Sequence, residues 1–335
     1  MTFRQIQKTN FRKLSDLLEF LGFSKESLER VHTASNFPLN VPRRLAEKME
    51  RNSPDDPIFR QFVPLLEETI VTPGYSLDPV EDGQAITACR LLQKYNGRAL
   101  IVTTGACAMH CRYCFRQNFN YGGDALFSAE LKAIAQDTSL HEVILSGGDP
   151  LSLSNKVLKE LIQNIASIDH IELLRFHTRF LIGIPERIES EFLAMIKACP
   201  LQVVVVIHCN HPRELDRDVL EACGRLKEAG AMMLNQSVLL KGVNDDVATL
   251  KKLSLKLVQG GILPYYLHSL DPVQGAAHFA VDKEEGLRLI EALKGQLPGY
   301  AVPKYVAEIP NKPNKMDVLH TIQGRKSENL EPLLK

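Results

Sequence analysis

The sequence predicts an α/β fold: an open, partial barrel of six β/α units, preceded by a helical N-terminal extension and followed by a short C-terminal segment. Two observations carry this. Strand-like apolar runs alternate six times with amphipathic helix-like runs between residues 99 and 297. Polar and titratable residues collect just past the ends of those runs, where parallel β/α folds build their sites.

Residues 1–92 read as the extension, with a cover or an oligomer contact as its expected role. Phe11, Leu14, Leu17, Leu18 and Leu21 keep helical spacing within a stretch spanning 10–31, broken at Gly22 with Ser24 as N-cap. Further helices are expected at 43–51 and 58–68, on either side of the turn cluster Asn52–Pro57. Residues 93–312 hold the core. Its strands are expected at 99–104, 141–146, 170–176, 202–208, 231–239 and 262–267. Its helices are expected at 128–137, 155–166, 186–198, 213–228, 246–258 and 283–297. In 213–228, Leu215, Val219, Leu220, Cys223 and Leu226 share one face, while Glu214, Arg217, Asp218 and Lys227 lie elsewhere. Consecutive β/α units require parallel strands with right-handed crossovers, and six are too few for an eight-fold barrel. Residues 313–335 form the C-terminal segment.

Hydrophobic residues make up 44% of the 335, enough for an ordinary globular core. Lys+Arg and Asp+Glu both number 40, so no net charge draws the chain to nucleic acid or to a membrane surface. No apolar run approaches the roughly 20 residues that cross a bilayer, and residues 1–13 lack a signal-peptide core. A cytoplasmic location is expected. Four scattered cysteines, Cys89, Cys199, Cys209 and Cys223, read as small buried apolar residues in a reducing compartment.

The other three cysteines carry the chemistry. Cys107-Ala-Met-His-Cys111-Arg-Tyr-Cys114 follows the first core strand. Thiolates select iron–sulfur clusters, zinc or Cu(I). A [4Fe–4S] cluster takes four cysteines, so three would leave one iron open to a small molecule. A structural zinc site is the competing reading; it needs a fourth ligand, and His110 is badly placed between two thiols. Strand two ends in Ser146-Gly147-Gly148-Asp149, where the glycines permit close backbone approach and Asp149 offers an acceptor for an ammonium. Later strands end in or carry His177-Thr-Arg179, His208 with His211, Gln236, and His268 with Asp271. His208 and His211 as a zinc pair lack a third ligand.

The C-x-x-x-C-x-x-C spacing after a first strand resembles the cluster motif of the radical S-adenosylmethionine (radical SAM) superfamily. That resemblance implies S-adenosyl-L-methionine bound at the open iron and cleaved on reduction to a 5′-deoxyadenosyl radical. It also implies that Gly147, Gly148 and Asp149 hold the methionine amino group. Within the superfamily, Lys94-Tyr95-Asn-Gly-Arg98, Arg112-Tyr113-Cys114-Phe115-Arg116, His208-Cys-Asn-His-Pro, Asn235 to Asn244 and Asp271 to Phe279 resemble the lysine 2,3-aminomutase family over about residues 75–320.

The family also uses pyridoxal 5′-phosphate (PLP). By position, Lys94, Tyr95 and Arg98 match residues around its phosphate, and His208, Gln236 and His268 fall at the cofactor rim. Arg116 matches the arginine for the substrate carboxylate; Asp271 and Glu308 match the pair for the remote ammonium. The family's Pro-Gly-Gly-Gly-Gly-Lys segment, which carries the PLP lysine, is replaced by Pro310-Asn-Lys-Pro-Asn-Lys315. Lys315 keeps the terminal place and Lys312 competes. Tyr305 to Ile309 alternates like a short strand that could close the open side of the barrel. No cysteine follows Cys223 and 20 residues follow Lys315, which resembles the bacterial EpmB branch. That branch makes (R)-β-lysine for a ligase acting on elongation factor P. The implied partners are lysine, an electron donor such as flavodoxin or ferredoxin, and functionally that ligase and elongation factor P; a homo-oligomer is compatible. The alternatives are an aminomutase for another amino acid and a radical SAM enzyme without PLP.

Overall fold

A computed structural model describes residues 1–122 and 127–322. A single ten-stranded sheet runs through it, its strands adjacent in chain order. They are β1 (Ile86–Ala88), β2 (Leu91–Tyr95), β3 (Arg98–Val102), β4 (Glu142–Ser146), β5 (Leu173–Thr178), β6 (Gln202–His208), β7 (Met232–Val238), β8 (Leu263–His268), β9 (Lys304–Ala307) and β10 (Met316–Asp317). Neighbours from β3 to β9 are parallel; the pairs at either end are antiparallel. The six expected strands are β3 to β8. Six helices connect them: Ser128–Gln136, Asn155–Ala166, Ser190–Ala198, Arg217–Glu228, Val247–Gln259 and, after β8, Lys283–Lys294. The alternating segment near the C-terminus is β9, which pairs with β8 through Leu267 and Tyr305. Among the described residues β1 and β10 do not pair, so the barrel stays open.

Several boundaries differ from expectation. The helix expected at 58–68 stops at Phe62, because Pro64 has no N–H to continue it; a separate 3₁₀ turn covers Leu66–Thr69. The one expected at 43–51 covers only Arg43–Ala46. The helix expected from 213 starts at Arg217, because Asp216 caps it by accepting from the Val219 N–H at 3.0 Å. Near residue 90, where no element is expected within the mostly helical extension, the chain forms β1 and β2. The turn between them puts Cys89 at φ 42° and leaves it exposed, against the expectation of a buried thiol.

The extension is part of the core. Phe3, Leu17, Leu45 and Phe59 belong to one buried apolar cluster with Phe176 and Phe192 of the barrel. Phe3 meets Phe180 edge-on, with centroids 5.8 Å apart. Arg44 ties the same extension to Glu186, Asp216 and Asp218.

Candidate active site

A cavity of about 300 Å³ lies at the C-terminal ends of the parallel strands. The residues assigned cluster, cofactor or substrate roles from the sequence all line it, from Lys94 on β2 to Lys315 after β9, whereas His110 and His211, weighed as zinc ligands, do not. Lys312 and Lys304 are exposed and do not line it.

One wall is the cysteine loop. The two glycines after β4 seat it. A Cβ on Gly148 would lie 2.5 Å from the Ala106 carbonyl oxygen and 2.8 Å from that of Thr104. The Gly148 N–H donates to Thr104 at 2.6 Å and the Asp149 N–H to Ala106 at 2.8 Å. Gly147 itself has φ 120°, a region L side chains rarely enter. The extension holds the loop from the other side. Asn10 Nδ2 donates to the Ala108 carbonyl at 2.8 Å, and Asn40 Nδ2 to that of Cys107 at 3.1 Å.

Beneath the loop is a buried polar network that sequence reasoning missed. Arg179 donates to Cys111 Sγ at 2.8 Å, to Gln61 Oε1 at 2.6 Å and to Glu214 Oε2 at 2.8 Å, and also to the Tyr113 hydroxyl. Gln61, Tyr113 and Glu214 are far apart in sequence, so no local signal announces them. Burial, with the neighbouring Cys111, pushes the Cys114 thiol up to about 11. Burial and Asp149 push Cys107 up as well. Thiols in that state need a positive metal centre to ionise them, which a cluster supplies. Among the described residues no three His, Cys, Asp or Glu converge on one point as a single ion requires. A four-iron cluster binds each thiolate through a different iron, so its ligands stand apart and this donor set fits it.

The opposite wall carries charge. Lys315 forms an ion pair with Glu308. Tyr95 donates to the other oxygen of Glu308 at 2.7 Å. Burial opposes the charge on Glu308, but Lys315 and Tyr95 hold its carboxyl below the usual range. Asp82, also unanticipated, is 2% exposed and joins Lys94 at 2.7 Å to Arg116 Nε at 2.6 Å. It lies in a Glu-Asp-Gly turn that reads as loop from sequence. Asp271 makes no ion pair among the described residues, and burial raises its carboxyl to about 7. Arg98 stacks over the Tyr95 ring at 4.8 Å, and its buried Nε has no hydrogen-bond partner. An unpaired guanidinium suits a phosphate. His177, His208 and His268 are held below the usual imidazole range by burial.

Asp149 differs from expectation. Its carboxylate accepts from the Leu151 N–H at 3.0 Å, Thr178 Oγ1 at 2.8 Å and the Arg179 N–H at 2.7 Å. Those acceptors are filled from within the chain, because the turn after β4 folds the side chain back as a cap on Pro150–Ser152. Asp149 therefore braces the glycine turn against β5 rather than presenting a free acceptor.

Residues 101–253 match the model of the radical SAM superfamily. The chain is 42% identical over 304 residues to L-lysine 2,3-aminomutase of Haemophilus influenzae, covering 89% of this chain and 90% of that one. It is 41% identical over 283 residues to the L-lysine 2,3-aminomutase of Escherichia coli, covering 83% and 82%. Against that of Clostridium subterminale it is 30% identical over 318 residues, covering 93% of this chain and 76% of the other. Identity of this extent, over a barrel whose strand ends bear the cysteine loop and a lysine facing it, means that the chain belongs to the lysine 2,3-aminomutase family of radical SAM enzymes.

Proposed function

We propose that this protein converts L-α-lysine to (R)-β-lysine with a [4Fe–4S] cluster, S-adenosyl-L-methionine and PLP. The carrying observation is that one cavity joins the cysteine loop to Lys315 and also holds an unpaired guanidinium, Arg98, and an unpaired carboxylate, Asp271. The cluster and S-adenosyl-L-methionine would supply a radical that removes a β-hydrogen, and PLP would supply a π system that carries the migrating nitrogen.

In this reading Cys107, Cys111 and Cys114 hold the cluster. Arg98 anchors the phosphate of PLP, and Lys315 is its resting partner. Lys94 and Tyr95 act there through their bonds to Asp82 and Glu308. Asp82 occupies Arg116 Nε and Ser146 Oγ accepts a long bond from Nη1 at 3.4 Å, which leaves Nη2, with Nη1 once it gives up that bond, for the substrate carboxylate. Glu308 and Asp271 together would receive the remote ammonium, Glu308 exchanging Lys315 for it. Two carboxylates around a half-buried cavity favour a cation over a neutral side chain. The walls exclude bulk water from the reacting carbons.

The higher identity with the Haemophilus and Escherichia relatives supports the EpmB branch, with the product passed to a ligase for elongation factor P. Flavodoxin or ferredoxin as reductant and a cytoplasmic location accompany that reading. Anaerobic incubation with lysine, PLP, S-adenosyl-L-methionine and dithionite, followed by chiral analysis, tests it. The expected product is (R)-β-lysine. Cleavage of S-adenosyl-L-methionine without β-lysine would move the substrate elsewhere; no cleavage at all would refute the radical chemistry.

A further inference from the structure

The strongest unexplained charge feature is the segment before the first long helix. Residues 1–15 contain Arg4, Lys8, Arg12 and Lys13 and no acidic residue, in a chain whose net charge is zero. All four cations are exposed, and none forms an ion pair among the described residues. The first acidic side chain after them is Asp16.

This basic segment is fastened to the cysteine loop. Gln7 Nε2 donates to the Cys107 carbonyl at 3.5 Å, and Asn10 Nδ2 to that of Ala108 at 2.8 Å. His110, between two of the cysteines, is hydrogen-bonded through Nδ1 to the Pro38 carbonyl at 2.8 Å, so the extension holds this part of the loop as well. His110 stacks on Phe37, with centroids 5.2 Å apart, which adds a flat apolar face to the rim. Gly105 and Ala106 are exposed and Cys107 is half-buried, so the loop reaches the surface beside these cations.

We infer that this surface docks an acidic one-electron carrier protein, resting on the proposed cluster at the cysteines. The chemistry requires such a partner. One electron leaves the carrier's reduced flavin or iron–sulfur group and enters the cluster; the carrier is oxidised by one electron, and no bond or proton need move. Unpaired cations on the segment fastened to the loop attract an anionic carrier and bias its approach toward the cysteines. Exposed charges left unpaired are cheap to solvate and act over about a Debye length, which suits a transient contact.

The test uses the reconstituted holoenzyme with reduced flavodoxin as the probe and dithionite as a carrier-free reductant. Two readouts are needed: flavodoxin binding by titration, and the rate of cluster reduction by stopped-flow absorbance. In the unaltered protein, raising salt from about 50 to about 300 mM weakens flavodoxin binding at least about threefold, by screening. Lys8→Glu, Arg12→Glu and Lys13→Glu together weaken it about tenfold or more and slow flavodoxin-driven reduction in parallel, while dithionite-driven reduction is unchanged. The milder Lys8→Gln, Arg12→Gln and Lys13→Gln set, which keeps the fold if the reversal does not, still weakens binding about threefold or more. Salt-independent binding, or a change below about threefold in both variant sets, overturns the docking surface. Failure of the underlying reading looks different: the unaltered protein would then hold no cluster that dithionite reduces.

Discussion

Asp271 exposes a conflict between stability and function that can be measured. Burial raises its carboxyl from 3.8 to about 7, and no cation pairs with it in the described structure. Three pKa units at about 1.4 kcal/mol each set a ceiling of about 4 kcal/mol on the cost of ionising it. Asp271 is only partly buried, so about 1–2 kcal/mol is the working figure. The folded state favours the protonated form. Asp271 therefore stabilises the protein most below about pH 4, and that contribution is lost as pH rises through about 7. Asp271→Asn stays neutral throughout. Without lysine, it should raise Tm by a few degrees at about pH 8 and flatten the pH dependence between about 4 and 7. With lysine, the ammonium loses a charged hydrogen bond worth about 1.5–3 kcal/mol, so the lysine KM should rise about 10- to 150-fold. Thermal unfolding at two pH values and dithionite-driven turnover read both sides. A lower Tm at the higher pH, or a lysine KM within threefold of the parent, would refute the assignment of Asp271 as an unpaired ammonium acceptor.

Serine at Cys107, Cys111 or Cys114 should remove most iron and all 5′-deoxyadenosine formation, whereas serine at Cys89, Cys199, Cys209 or Cys223 should leave iron content intact; metal analysis decides. Borohydride reduction with PLP should label one lysine, with peptide mass placing the phosphopyridoxyl group on Lys315; Lys315→Ala should lose label and turnover yet keep its iron, and a label on Lys312 would show the wrong lysine was chosen. Gly148→Ala places a methyl within 2.5 Å of the Ala106 carbonyl and should displace the cysteine loop, so iron retention should fall even though no ligand is changed. A Gly148→Ala protein with full iron would mean that the loop is not seated by that contact.

What the sequence determined by itself was local or periodic. The three thiols are eight residues of contiguous chain and need no fold to be neighbours. The six central strands and their helices follow from apolar periodicity, and the parallel order follows from their alternation. Their strand ends converge by geometry, which is why His208, Gln236, His268 and Asp271 line one cavity as expected. Lys315 was distinguishable from Lys312 only by place in a degenerate segment; β9 and the turn at Asn311, with φ 60°, decide that the later lysine reaches the cavity.

Tertiary structure alone decided who bonds to whom. Asp82 collects Lys94 and Arg116, Asp149 is filled by Leu151, Thr178 and Arg179, and Gln61 of the extension meets Arg179 of the barrel. A side chain's charge is written in the sequence, but its partner is chosen by which distant backbone brings a complementary group within about 3 Å after burial has removed water as a competitor. For the same reason the extension, which reads as a cover, proves to be a wall of the site: its asparagines reach the cysteine loop only because Phe3, Leu17 and Phe59 are buried in the barrel's own core.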